Sequence, residues 1–96
     1  DINALVQIRT NDHSARWLAD FTTAIDEFPE IVEAFRTSGE IDYMLRVVVP
    51  DMNSYDDFYK RLIERVALYD VRTIFEMEEL KRTTALPLDY AAFDSP

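Results

Sequence analysis

Apolar positions along this chain follow two rhythms, one of period two and one of helical period. From Ala4 to Thr10, Ala4, Val6 and Ile8 alternate with Leu5, Gln7 and Arg9, the pattern of a strand with one wetter face. Asn11 to Ser14 is a polar turn in which Asp12 or Ser14 can cap a helix. Trp17, Leu18, Phe21, Ala24, Ile25 and Phe28 then recur at helical spacing, predicting a helix of about fourteen residues with one apolar stripe. Phe28-Pro29 ends it, because a residue before proline is pushed out of the helical region. Ile31 to Ser38 reads as a second strand and Ile41 to Val49 as a third, and the short link between them implies an antiparallel hairpin. Pro50 to Asn53 forms a turn. Ser54 follows as an N-cap, with Asp57 at the third helical position in a variant of the capping box. Tyr55, Phe58, Tyr59, Leu62, Ile63 and Val66 build a second amphipathic helix. Leu68-Tyr69-Asp70 connects it to a fourth strand, Val71 to Leu80, which Lys81 to Leu88 can extend.

The order strand, helix, strand, strand, helix, strand predicts an α+β fold, a ferredoxin-like βαββαβ sandwich. Its four-stranded antiparallel sheet would carry two helices on one face, as in dimeric α+β barrels. The other face would hold Leu5, Gln7 and Arg9, then Asp42, Met44, Arg46 and Val48, then Arg72, Ile74, Glu76 and Glu78. Leu5, Met44, Val48 and Ile74 are too apolar for a wholly wet face, so a homodimer packed sheet against sheet is expected. Arg9 or Arg46 opposite Glu76 or Glu78 would supply ion pairs, within or between subunits.

Composition narrows the setting. Ninety-six residues make one small domain, expected to span 1–88 with a tail at 89–96. Without cysteine there is neither a disulfide framework nor a thiolate zinc site. No apolar run reaches the ~18 residues of a membrane span. The net charge of −9 sets this segment against phosphate backbones and anionic membranes. The chain opens at Asp1, which suggests a domain of a longer protein or a chain trimmed at its start.

Catalytic chemistry finds little support. His13 is the lone histidine and lies in a turn, so a transition-metal site would need carboxylates throughout. Glu76, Glu78 and Glu79 cannot all share one strand face. Asp56 and Asp57 sit in a helix first turn, where acids oppose the positive end of the dipole. One glycine rules out a glycine-rich phosphate loop. Tyr55, Tyr59 and Tyr69 read as core residues with their hydroxyls at the rim. No catalytic residue, metal or cofactor is expected.

That single glycine, Gly39, falls in the turn Ser38-Gly39-Glu40 between the second and third strands. Glycine at a turn supplies a backbone conformation that other residues adopt at a cost, and it lets ligand atoms approach the main chain. Glu40 and Asp42 lie beside it and Asp51 at the far end of the strand. A plain hairpin with polar flanks is one reading of the segment and a binding turn is the other. An amino-acid ligand needs an anion for its ammonium, which Glu40 or Asp42 offers, and donors for its carboxylate, which backbone N–H groups around Gly39 offer.

The run from Ser38 to Met52, SGEIDYMLRVVVPDM, strongly resembles the effector domain of the leucine-responsive (Lrp/AsnC, feast/famine) transcription regulators. A serine-glycine pair is followed by an acid, a bulky residue, an aspartate and an aromatic, then by an apolar strand ending in proline-aspartate. Val71-Arg72-Thr73 through Met77-Glu78-Glu79, then Lys81 and Thr83 to Leu88, is similar to the family's closing strand. The resemblance implies the same ferredoxin-like (RAM, ACT-like) fold and dimers that assemble into tetramers or octamers. It also implies a small amino-acid effector bound between dimers near the glycine turn. Carried over by position, the effector-binding residues would be Ser38, Gly39, Glu40 and Asp42, with Asp51, Met52 and Ser54 in the following loop and Thr73 on the fourth strand.

Family members carry a DNA-binding helix-turn-helix in front of this domain, and this stretch contains none. The expectation is therefore the effector half of a cytoplasmic, non-enzymatic regulator that touches DNA only through that other domain; a stand-alone member is the other arrangement. Two further functions use the same fold: a small dimeric enzyme of the monooxygenase, isomerase or haem-pathway decarboxylase type, and an assembly module with no ligand.

Overall fold

The computed structural model describes residues 1–87. Six elements follow in order: β1 (Ile2–Arg9), α1 (Ala15–Asp26), β2 (Ile31–Arg36), β3 (Tyr43–Val49), α2 (Met52–Arg65) and β4 (Asp70–Phe75). The strands form one antiparallel sheet in the order β2-β3-β1-β4, so the ferredoxin-like βαββαβ reading holds. The expected tail 89–96, together with Leu88, lies outside the described residues.

The core is the interlock of the sheet's inner face with both helices. Ala4, Val6, Ile8, Leu45 and Val47 are completely buried, as the period-two pattern predicts. Above them lie Trp17, Phe21 and Ala24 from α1 and Tyr55, Phe58 and Leu62 from α2. Phe28 meets Phe58 edge to face at 5.5 Å, and each such buried side chain stabilises the fold by about 1.5–3 kcal/mol. The Trp17 indole N–H donates to the Ala67 carbonyl at 2.9 Å, which fixes the start of α1 to the end of α2. Arg65 of α2 joins Asp20 and Glu27 across the helices at 3.0 and 2.9 Å.

Element boundaries differ from the sequence expectation, and β1 itself runs from Ile2 to Arg9 where Ala4 to Thr10 was expected. Helix α1 has twelve residues, with Ser14 as its cap accepting from the Trp17 N–H. Helix α2 starts at Met52, capped by Asp51 and not by Ser54, so the capping box expected at Ser54 and Asp57 does not form. Strands β2 and β3 stop short of the glycine, leaving Thr37 to Asp42 as the loop. Strand β4 ends at Phe75 and not at Leu80. Its partner β1 begins at Ile2, opposite Val49, and beyond the Glu76 N–H to Asn3 carbonyl bond there is no neighbour left to pair with.

The open face carries Leu5, Gln7, Met44, Arg46 and Val48, all half-buried, and Ile74, 49 % exposed. Phe35 of β2, opposite Met44 and 46 % exposed, belongs to the same face although the sequence reading left it out. Arg46 pairs within the chain with Glu33 at 2.7 Å and Glu76 at 3.5 Å, one of the expected pairs. Arg9 instead lies over the Tyr69 ring at 5.6 Å. Glu78, past the end of β4, is not on the sheet.

Candidate functional site

The candidate residues do not converge. The turn Ser38 to Asp42 stands at one end of β3, Asp51, Met52 and Ser54 stand at the other, and Thr73 lies midway along β4. Strand β3 has seven residues, so its ends are about 20 Å apart.

At the first end, Gly39 has φ +110°, a backbone that side chains strain to adopt, and a Cβ there would meet nothing within 4 Å. Conformation, not crowding, therefore selects glycine. Two anchors hold the loop: the Thr37 N–H donates to the Asp42 carbonyl at 2.9 Å, and the Thr37 hydroxyl donates to the Ile41 carbonyl at 2.8 Å. Asp42 fastens it to β1, donating its N–H to the Ile8 carbonyl at 2.9 Å while its Oδ2 accepts from the Thr10 N–H at 2.9 Å. Between these anchors Ser38, Gly39 and Glu40 are exposed, and their main-chain N–H groups and side chains have no protein partner among the described residues.

The second end is already occupied by its own fold. The Asp51 carboxylate accepts from the Ser54 N–H at 2.8 Å, and the Tyr55 N–H donates to the Asp51 carbonyl at 3.2 Å. The bond from the Ser54 backbone, helped by its side chain, holds the Asp51 carboxyl below the ordinary aspartate range. Met52 is 46 % exposed on the first helical turn. A hollow of about 430 Å³ here, bordered by Glu30, Asp51, Asp57 and Arg61, is crossed by the Arg61 bonds to Glu30 and Asp57.

Thr73 sits opposite Val6 on the inner side of the sheet, and its hydroxyl is hydrogen-bonded to that of Tyr55. Tyr55 is 5 % exposed, and burial pushes its phenol pKa up. Tyr69, expected at the rim of the core, is 62 % exposed. His13 is exposed, and among the described residues no group of three or more potential metal ligands occurs. No helix among them is long and apolar enough to cross a membrane.

The βαββαβ order and the single antiparallel sheet define the class, a small ferredoxin-like α+β domain. The Lrp/AsnC ligand binding domain family matches residues 3–86, and the chain belongs to that family. It is 47 % identical over 87 residues to the glutamate uptake regulatory protein of Zymomonas mobilis, covering 91 % of this chain and 53 % of that protein. An AsnC family transcriptional regulator from Agrobacterium tumefaciens superposes with TM-score 0.81 at 53 % identity, over 93 % of this chain and 58 % of that one. A transcriptional regulator from Neisseria meningitidis, solved as a complex with L-methionine, superposes with TM-score 0.81 at 27 % identity, over 94 % of this chain and 58 % of that one. The chain thus spans little more than half the length of these relatives.

Proposed function

We propose that this chain is the effector-binding and oligomerisation domain of an Lrp/AsnC-type transcriptional regulator, with a small amino acid as its ligand. In this reading the turn Ser38 to Asp42 takes the ligand where dimers meet, and a helix-turn-helix elsewhere in the full protein binds DNA in the cytoplasm. The observation that carries it is the set of N–H groups at Ser38, Gly39 and Glu40 that have no partner among the described residues. Consecutive amides available in a glycine turn suit a carboxylate, and Glu40 with the Oδ1 of Asp42 suits an ammonium. The methionine complex of the Neisseria regulator is in keeping with an amino-acid ligand. Asp51, Met52 and Ser54 lie too far from the turn to serve it in one subunit, so they enter the site from another copy or not at all.

The open sheet face, with Leu5, Phe35, Met44, Val48 and Ile74, would make the dimer. A ligand that prefers one dimer–dimer arrangement then shifts the population of assemblies and the spacing of the attached DNA-binding domains. The domain does no chemistry in this reading: its lone histidine is an exposed turn residue, and the relatives are named as regulators. Sizing the protein in solution with and without each amino acid tests this. A change of oligomer with at least one of them is expected; an assembly indifferent to all, with no binding, would sink the reading and leave a ligand-free assembly module.

A further inference from the structure

A groove runs between α1 and the exposed side of β2, floored by Leu18, Phe21, Ile25, Ala34 and Tyr43 and enclosing about 310 Å³. It continues into a second hollow of about 370 Å³ that shares Ile25, Asp26 and Ala34, within the size range of small-molecule sites. Two opposite charges border it, Arg36 and Asp26. Among the described residues Arg36 and Asp26 make no ion pair; Arg9 and Arg16 make none either, but neither of them lines the groove.

Asp26 is also badly placed for the fold. It is the last residue of α1, where the negative end of the helix dipole repels a carboxylate, and no basic residue lies in that turn. A bound cation would relieve the repulsion, and a bound carboxylate would find a planar fork of donors on Arg36.

The topology sets the spacing of the two charges. Strands β1 and β2 both pair antiparallel with β3 and so run parallel, which makes the intervening α1 antiparallel to β2. Arg36 therefore marks the end of the groove beside Leu18, and Asp26 the end beside Ile31. Ala34 lies between them, about 7 Å along the strand from Arg36. An amino acid such as leucine carries its two backbone charges on neighbouring atoms, whereas an ω-amino carboxylate separates them along a chain, as the two ends of the groove do.

We propose that this groove binds an elongated zwitterion, an ω-amino carboxylate or a lysine-like amino acid. Its carboxylate sits on Arg36, its distal ammonium on Asp26, and its aliphatic chain on the floor between Leu18, Ile25 and Tyr43. The site lies within one subunit and stands or falls independently of the glycine turn.

The test is an amide-resolved NMR titration of the chain with ε-aminocaproate, lysine and leucine. The first two are expected to move the amides of Leu18, Ile25, Ala34 and Arg36, and leucine is expected to leave them in place. Arg36→Gln and Asp26→Asn, both at exposed positions, should each weaken ε-aminocaproate at least about tenfold with an otherwise native spectrum, and Arg36→Lys, which keeps the charge but loses the fork, should fall between the parent chain and Arg36→Gln. The proposal is overturned if ε-aminocaproate moves nothing up to roughly 10 mM. Shifts confined to Ser38 to Asp42, or groove shifts from leucine as large as those from ε-aminocaproate, also overturn it.

Discussion

The two ends of β3 look alike in sequence, each a polar turn with an acid after a special residue, yet the fold treats them differently. At the Pro50 end the acids are engaged: Asp51 caps α2 through Ser54, and Arg61 spans Glu30 and Asp57, although the Met52 and Asn53 amides keep no partner among the described residues. At the Gly39 end Thr37, Ile41 and Asp42 are engaged, whereas the amides of Ser38, Gly39 and Glu40 and the Glu40 carboxylate have no partner among the described residues. A polar loop that spends its hydrogen bonds on its own helix has structure as its main task. One that is anchored on both sides and left open in the middle has donors available to a ligand, which is what the proposed effector role of the Gly39 turn requires. The same distinction sets Thr73 apart, since its hydroxyl is tied to Tyr55.

Substitutions can break this contrast, and the largest effect on stability is expected at Thr73. Thr73→Val leaves the Tyr55 hydroxyl without its partner and should cost roughly 1–3 kcal/mol in urea melts; a neutral result would mean that this pair is not structural. Gly39→Ala forces a side chain into a positive-φ backbone and should cost about 1–2 kcal/mol in the same assay. Asp51 should show its role in acid. Its carboxyl titrates below the ordinary aspartate value, so the support it gives α2 is complete above that value and is lost as pH falls through the lowered native one, below about pH 4. Acid melts followed by circular dichroism should show Asp51→Asn losing that part of the pH dependence. The smallest effect on stability is expected at the open turn: Ser38→Ala and Glu40→Gln should stay within about 0.5 kcal/mol of the parent chain.

Much of this was legible in the sequence, because a half-buried strand and an amphipathic helix write their periods directly into it. The alternation of Ala4, Val6 and Ile8 and of Leu45, Val47 and Val49 gives the inner face of the sheet residue by residue. What was not legible depended on neighbours. Glu76 to Leu80 read as strand, but a strand needs a partner and β1 has run out there. Asp51 and Ser54 are both good helix caps, and only the fold shows that the earlier one is used. An irregularity between Ile31 and Glu33 leaves Val32 54 % exposed, and no turn residue announces it. For the site, the sequence flagged the glycine turn and its acids and grouped them with Asp51, Met52, Ser54 and Thr73, but it did not show that these stand away from the turn within one subunit or that Asp51 and Thr73 are hydrogen-bonded inside the chain. It offered Asp42 as an anion for the ligand but did not reveal that one of its oxygens holds the Thr10 amide. That makes Asp42→Asn the sharper substitution, because it can keep the bond to Thr10 and removes only the charge.

Isothermal titration with a panel of amino acids tests the role of the Gly39 end most directly, run on the parent chain, Asp42→Asn and the Ser38→Ala/Glu40→Gln double variant. At least one amino acid should bind the parent chain, and both variants should lose that binding at least about tenfold while remaining folded. Binding that both variants retain in full, or no binding by any amino acid, would contradict the assignment of the effector to this turn.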